Sequence, residues 1–271
     1  MIQDNFTIPS TYGYIIIVAA AIGGLWMSTS PSKPQKVVVV QAPDISIHEA
    51  VKEGNIEVVK QHLAAGTEVN PKEDGGWTPL HYATNKDLSE LLISKGADVN
   101  AKTDNKRTPL DFAVEFGQRE IIELLIARGA DVNAKDKDGG TTPLHHAASY
   151  GRNKVVELLI AKGADVNARD DSGDTPLLSA QTKEIVKLLI ANGADVNANS
   201  MSRWTRLILA AYDGEKEVAE LLINKGANVN AVENGGETSL DWAIERDDKK
   251  TIDLLRKHGA KTGEELKAEG N

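Results

Sequence analysis

Thr142-Pro-Leu-His-His-Ala-Ala-Ser-Tyr-Gly-Arg-Asn-Lys-Val-Val-Glu-Leu-Leu-Ile-Ala-Lys-Gly-Ala-Asp-Val-Asn167 is the stretch whose reading decides the fold. Thr142 followed by Pro143 is a helix start: the hydroxyl caps free N–H groups, and proline at the first helical position lacks a donor that would go unused. Leu144, Ala147 and Ala148 then set small apolar groups on one face. A second helix follows with Val155, Leu158 and Leu159 at i, i+3 and i+4, and Gly163 supplies the left-handed residue that ends it. A two-helix unit of this size cannot bury its apolar face alone, so copies of it must stack.

Copies are present on both sides. Thr78-Pro-Leu-His, Thr108-Pro-Leu-Asp, Thr142-Pro-Leu-His, Thr175-Pro-Leu-Leu, Thr205-Arg-Leu-Ile and Thr238-Ser-Leu-Asp follow one another at intervals of 30, 34, 33, 30 and 33 residues. Gly-Ala-Asp-Val-Asn or a near copy opens at Gly96, Gly129, Gly163, Gly193 and Gly226, and Gly259-Ala-Lys closes the last copy. Ile45-Ser-Ile-His48 with Gly66-Thr-Glu-Val-Asn70 is a degenerate first copy. The composition agrees: only 4% of the chain is aromatic, as expected of an interior built from Ala, Leu, Ile and Val between thin layers.

A period of 33 residues with Thr-Pro-Leu-His near its start and Gly-Ala-Asp-Val-Asn at its end resembles the ankyrin repeat over residues 44–260. The resemblance implies an all-α solenoid of antiparallel helix pairs joined by projecting hairpin loops. The repeats are read as about 44–72, 73–102, 103–135, 136–169, 170–199, 200–232 and 233–260, followed by a polar tail, 261–271. The second and fifth copies are three residues short between Thr and Gly and lack the turn glycine seen as Gly117, Gly151 and Gly214. A shortened turn between helices, and a dent on that edge, are expected there. The last copy has Asp247 for the turn glycine and Arg256 and Lys257 in its second helix, as a solvent-facing terminal repeat would. Thr262-Gly-Glu-Glu265 has the pattern of a capping box opening a short final helix.

Ahead of the repeats, residues 12–27 form an uncharged apolar run flanked by Tyr12, Tyr14 and Trp26, with a short tail, 1–11, before it and a proline-containing linker, 28–43, after it. A single apolar helix is expected, shorter than the roughly 20 residues of a usual membrane span. An uncleaved membrane anchor with the repeats on the cytoplasmic side fits the lysines at 33 and 36, and a cleaved signal is the alternative. A buried strand or helix is the plain structural reading, and Val37–Val40 is a possible strand.

The formal charge of −9 argues against nucleic-acid binding, and the absence of cysteine removes disulfides and thiol chemistry. No catalytic residue, cofactor or metal site is expected: His48, His81 and His145 recur at one repeat position, and no phosphate loop or nucleophile elbow is present. What varies between copies is the position before each Thr, at the hairpin tip, and the exposed end of the first helix. In proteins of this resemblance these make up a concave partner-binding face. A protein-binding surface of Trp77, Arg107, Phe116, Tyr150, Arg203, Trp204 and Tyr212 follows, since Trp, Tyr and Arg dominate interface energies. The alternative for each ring is cover for a neighbouring repeat. The expected function is a membrane-tethered scaffold or adaptor that binds a protein partner, favoured to be basic by the acidic balance. An exported effector acting on a foreign protein and the regulatory arm of an enzyme are the other readings.

Overall fold

The computed structural model describes residues 15–17, 37–39, 41–137 and 139–270, and these fall into two compact units. The first comprises the described residues up to Pro71 together with Thr78–Ala97. In it, β1 (Ile15–Ile17) pairs antiparallel with β2 (Val37–Val39), Ile16 opposite Val38. This corrects the expected apolar helix over 12–27 where that stretch is described. Ile and Val are branched at Cβ, lose side-chain freedom in a helix and favour extended backbone, so two such triplets pair with each other. The rest of 12–27 lies outside the described residues. Among the described residues no helix is long and apolar enough to cross a membrane.

The first unit continues with α1 (Ile47–Lys52), α2 (Ile56–Ala64), a single 3-10 turn at Pro79–Tyr82 and α3 (Lys86–Ser94). The second unit, Lys72–Trp77 with Asp98–Asn271, holds α4 (Pro109–Glu115), α5 (Arg119–Ala127), α6 (Pro143–Ser149), α7 (Asn153–Ala161), α8 (Lys183–Ala191), α9 (Arg206–Asp213), α10 (Lys216–Asn224), α11 (Ser239–Glu245), α12 (Lys249–Lys257) and α13 (Gly263–Glu269). Within it α4 packs on α6, α9 on α11, α7 on α8, and α8 and α12 on α10. Leu110, Leu144, Leu177, Leu207 and Leu240, one from each copy, are buried, as are Leu125, Leu159, Leu189, Leu222 and Leu255 from the second helices. Burial of this kind contributes about 1.5–3 kcal/mol per leucine.

The helix starts behave as the Thr-Pro spacing implies. In the copies at Thr78, Thr108, Thr142 and Thr238 the side chain three residues on folds back to the Thr backbone N–H. Thr142 donates both its N–H, at 3.2 Å, and its hydroxyl, at 2.8 Å, to His145 Nδ1, which must therefore be unprotonated. The proton sits on Nε2, which donates to the Asp174 carbonyl at 3.1 Å. Burial holds the His145 pKa below its usual value, in keeping with a neutral ring.

Neighbouring copies are stitched at two levels. Asn100, Asn133, Asn167, Asn197 and Asn230 each donate to the carbonyl of the glycine that ends the next second helix, and each accepts the backbone N–H two residues further on. At the hairpins one backbone bond joins each tip to the next: Asp104 to Gly75, Lys137 to Asn105, Asp171 to Gly139, Met201 to Ser172 and Asn234 to Ser202.

The three missing residues of the second and fifth copies come out of the first helix and leave the inter-helix turn unshortened. That corrects the expectation. In the second copy four residues form one 3-10 turn where α4 and α6 have seven, and in the fifth only a turn at 176–179 is left. The link to the second helix is three residues in both, 83–85 and 180–182, as it is at 116–118. Every second helix keeps nine residues. The second helices and their terminal glycines carry the asparagine ladder, so only the first helix can shorten without breaking it. Asn85 and Thr182 cap α3 and α8 through their side chains, taking over from the absent turn glycine. The expected dent is present at the fifth copy as a hollow of about 290 Å³ beside Leu178–Gln181.

The chain ends in the expected capping box. Thr262 and Glu265 cap α13 reciprocally, Gly263 N–H donates to Asp241 at 2.8 Å, and Arg256 grips Glu265 with two nitrogens. A Cβ at Gly263 would collide with the Gly236 carbonyl, so glycine there permits the close seating of α13 on the last hairpin.

Candidate protein-binding face

The residue preceding each Thr is positioned by its own hairpin. In each of the six hairpins the N–H of an earlier residue donates to its carbonyl: Glu73 to Trp77, Thr103 to Arg107, Asp136 to Thr141, Asp170 to Asp174, Ser200 to Trp204 and Glu233 to Glu237. Side chains of Thr103, Asp136, Asp170, Ser200 and Glu233 accept the N–H at the same position of their hairpins. The tip residue therefore emerges from a closed hairpin loop.

Three of the predicted tip residues, Trp77, Arg107 and Trp204, are occupied with neighbouring rings. Trp77 is half-buried with its ring centroid 4.4 Å from Phe112. Arg107 lies over the same Phe112 ring at 4.0 Å and pairs with Glu115 at 2.5 Å. Trp204, also half-buried, sits 5.2 Å from Trp242 and 5.7 Å edge-on to Tyr212, which is in turn 5.2 Å from Trp242. Phe112 and Trp242, read from sequence as framework, are the surfaces on which the two tip tryptophans rest. Their signal is the position four residues after Thr, one helical turn along on the face the tip residue covers.

The first-helix ends are open. Phe116 is 65% exposed, Tyr150 45% and Tyr212 44%. Tyr150 stacks at 6.1 Å on His146, whose Nε2 approaches Asp136 at 3.2 Å and Thr141 at 3.1 Å. Arg203 is exposed at the tip beside Trp204, in a left-handed conformation with φ 62° that closes its turn. Met201, on the same tip, is 74% exposed. All seven predicted residues belong to the second unit. The structure groups Trp77 with Arg107, and Trp204 with Tyr212, while Phe116 and Tyr150 mark corresponding helix ends in successive copies.

Arg206 gave no functional signal in the sequence beyond replacing the proline of its copy. Its side chain is 3% exposed, with Nη2 donating to the Ala180 carbonyl at 3.1 Å and to Glu215 at 2.5 Å. Its Nε and Nη1 have no acceptor. Among the remaining buried ionisable groups, Asp111 is pushed up by burial, against the lowering effect of its bonds from Thr108. Both it and His145 are spent on capping. Among the described residues no cluster of His and carboxylates has the makings of a metal site.

A model of the family described as ankyrin repeats matches the chain three times, over residues 47–136, 136–200 and 178–265. The crystal structure of the ankyrin repeat domain of Bcl-3, a member of the IkappaB protein family, superposes with a TM-score of 0.68 at 30% identity, covering 80% of this chain and all of that one. Human protein phosphatase 1 regulatory subunit 27 is 40% identical over 52 residues, which is 18% of this chain and 34% of that protein. Acyl-CoA-binding domain-containing protein 4 of rice (Oryza sativa subsp. japonica) is 48% identical over 40 residues, 15% of this chain and 12% of the relative. The matched segment thus spans about a third of the human relative's length or less. With family matches running from residue 47 to residue 265, the chain belongs to the ankyrin repeat family.

Proposed function

We propose that this protein is a non-enzymatic recognition module that grips a protein partner on the face formed by its hairpin tips and first-helix ends. The observation that carries the reading is the exposure of Phe116 and Tyr150 at corresponding first-helix ends of the second unit, and of Tyr212 one position earlier in its own copy with Trp204 packed edge-on against it. Large rings left in water cost free energy that an occupied face recovers, and rings already fixed by packing lose little entropy on binding. The relatives support an interaction role in kind only: one is named as a regulatory subunit of a phosphatase, another as an ankyrin domain of an IkappaB protein.

The test is affinity capture with the full chain beside the triple variant Phe116→Ala, Tyr150→Ala, Tyr212→Ala, followed by reconstitution with the purified captured protein. Binding lost by the variant at an unchanged melting temperature supports the face. Full affinity in the variant refutes it. Tethering of this module through residues 12–27 is a separate proposal that rests on the composition of that run, and retention in the membrane pellet after alkaline extraction checks it.

A further inference from the structure

Where a hairpin tip carries tryptophan, the ring lies on the residue four places after Thr in the next copy, Trp77 on Phe112 and Trp204 on Trp242. At the junction of the fifth and sixth copies the corresponding pair is Asp174 and Leu209, neither of which carries a ring. The fifth copy has also lost a turn of its first helix. The result is a cavity of about 450 Å³ with Leu178, Leu209, Trp204 and Met201 as its apolar walls and Asp171 and Asp174 on its polar side. That volume falls within the range of about 300–1,000 Å³ typical of ligand pockets.

Its carboxylates form no ion pair among the described residues. Neither Asp171 nor Asp174 has a side-chain partner among the described residues, whereas Asp170 accepts the N–H groups of Ser172 and Asp174. Arg169, on the same hairpin, is turned to the carbonyls of Gly173 and Asn199. Burial, and then Asp170, push the Asp174 carboxyl above its usual range, so a cation beside it would be favoured. The adjoining hollow shares Leu178 and Leu209, and there the buried Arg206 keeps two nitrogens without acceptors. The notch is therefore unfinished on both sides.

Resting on the reading that this face binds a protein, we propose that the notch of the fifth copy receives one arginine or lysine side chain of the partner. Its aliphatic stem lies along Leu178, Leu209 and Trp204, and its cationic head meets Asp174 and Asp171. The chain already shows this arrangement once, where its own Arg107 lies over Phe112 and ends on Glu115. An apolar bed with a carboxylate at its end selects a long basic side chain over a short or neutral one.

The probes are Nα-acetyl-arginine methylamide, its lysine counterpart and the neutral citrulline isostere, titrated into the isotope-labelled full chain up to about 100 mM, since one side chain binds in the millimolar range. The arginine probe is expected to shift the Trp204 indole and the Leu178 and Leu209 methyl signals saturably, with citrulline at least about tenfold weaker. Asp174→Asn, which removes no side-chain hydrogen bond of the described fold, is expected to weaken arginine binding by about tenfold, the loss of one charge-assisted bond. Equal binding of citrulline, an affinity unchanged by Asp174→Asn, or no shift from any probe overturns the proposal. Probe binding that survives Phe116→Ala and Tyr150→Ala, with partner capture lost in wild type and variants alike, would uphold the pocket while removing the wider face. Capture that depends on Phe116 and Tyr150 with no probe binding would do the reverse.

Discussion

Replacing Asn167 with alanine measures what joins one copy to the next. Its Nδ2 donates to the Gly193 carbonyl at 3.0 Å, and its Oδ1 accepts the Asp195 N–H at 2.8 Å. Both bonds lie in exposed positions, so water can re-pair the two backbone groups and no buried orphan is created. The net loss is then two ordinary hydrogen bonds at about 1 kcal/mol each, or about 2 kcal/mol. In urea, with a slope of about 3 kcal/mol per molar for a chain of this size, the midpoint should fall by about 0.7 M. Stability in a stacked array is a sum of repeat terms and nearest-neighbour interface terms, so this central change should lower the main transition. The equivalent change at Asn230, which serves the last junction through Gly259 and Lys261, should act on the release of the terminal helices. Asn167→Asp keeps the acceptor but sets an anionic oxygen against the Gly193 carbonyl, and should be no milder than alanine. An unchanged midpoint in Asn167→Ala would refute the ladder as the joining element. A loss above about 4 kcal/mol would refute the treatment of its bonds as independent.

Three further outcomes are expected. His145 has a folded-state pKa below its unfolded value of 6.5, so the unfolded chain takes up protons first. The stability that its neutral ring contributes is present above that value and lost as the pH falls below it, and a His145→Gln variant should show a flatter stability profile between about pH 5 and 7 in denaturant titrations. Glu265 is held down to about 2 by the Arg256 guanidinium and its Thr262 bonds. Its contribution to seating α13 is in place above its usual value of 4.5 and lost as pH falls toward 2, so amide exchange in α13 should remain slow at pH 4 in wild type and speed up in Glu265→Gln. Gly263→Ala should displace α13 from the Gly236 carbonyl and cost about 2 kcal/mol or more, read as lost protection of residues 263–269 with the second-helix amides unaffected.

The fold was legible wherever one local rule governs a residue. Thr followed by Pro starts helices, glycine ends them, Asn in Ala-Asp-Val-Asn bonds backbone, and Thr262 with Glu265 opens α13. Each of these signals is complete within a few residues. The placement of the three missing residues was not legible, because a short turn and a short helix have the same count. Only the need to keep nine-residue second helices in register decides between them, and that constraint comes from neighbouring copies. The pairing of Ile15–Ile17 with Val37–Val39 is hidden in the same way, since an apolar run carries one hydropathy whether coiled or extended. For the face, exposed helix ends such as Phe116 and Tyr150 were readable from the helical period. That Trp77 rests on Phe112, and that Arg206 turns inward to Glu215, depends on residues a full copy or several turns away.

The constancy of the second helices has a consequence for how this molecule can change length. Each internal copy of the second unit presents the same Asn on one side and the same glycine carbonyl on the other, so such a copy behaves as an interchangeable cassette. Excision of residues 170–199 as one block would bring Asn167 to the Gly226 carbonyl and the Asn228 N–H, the pair that Asn197 now holds. The notch would vanish with the block while the ladder closed over it. Whole cassettes thus set how far the second unit reaches, and trimming a single first helix cuts a local recess without altering that reach.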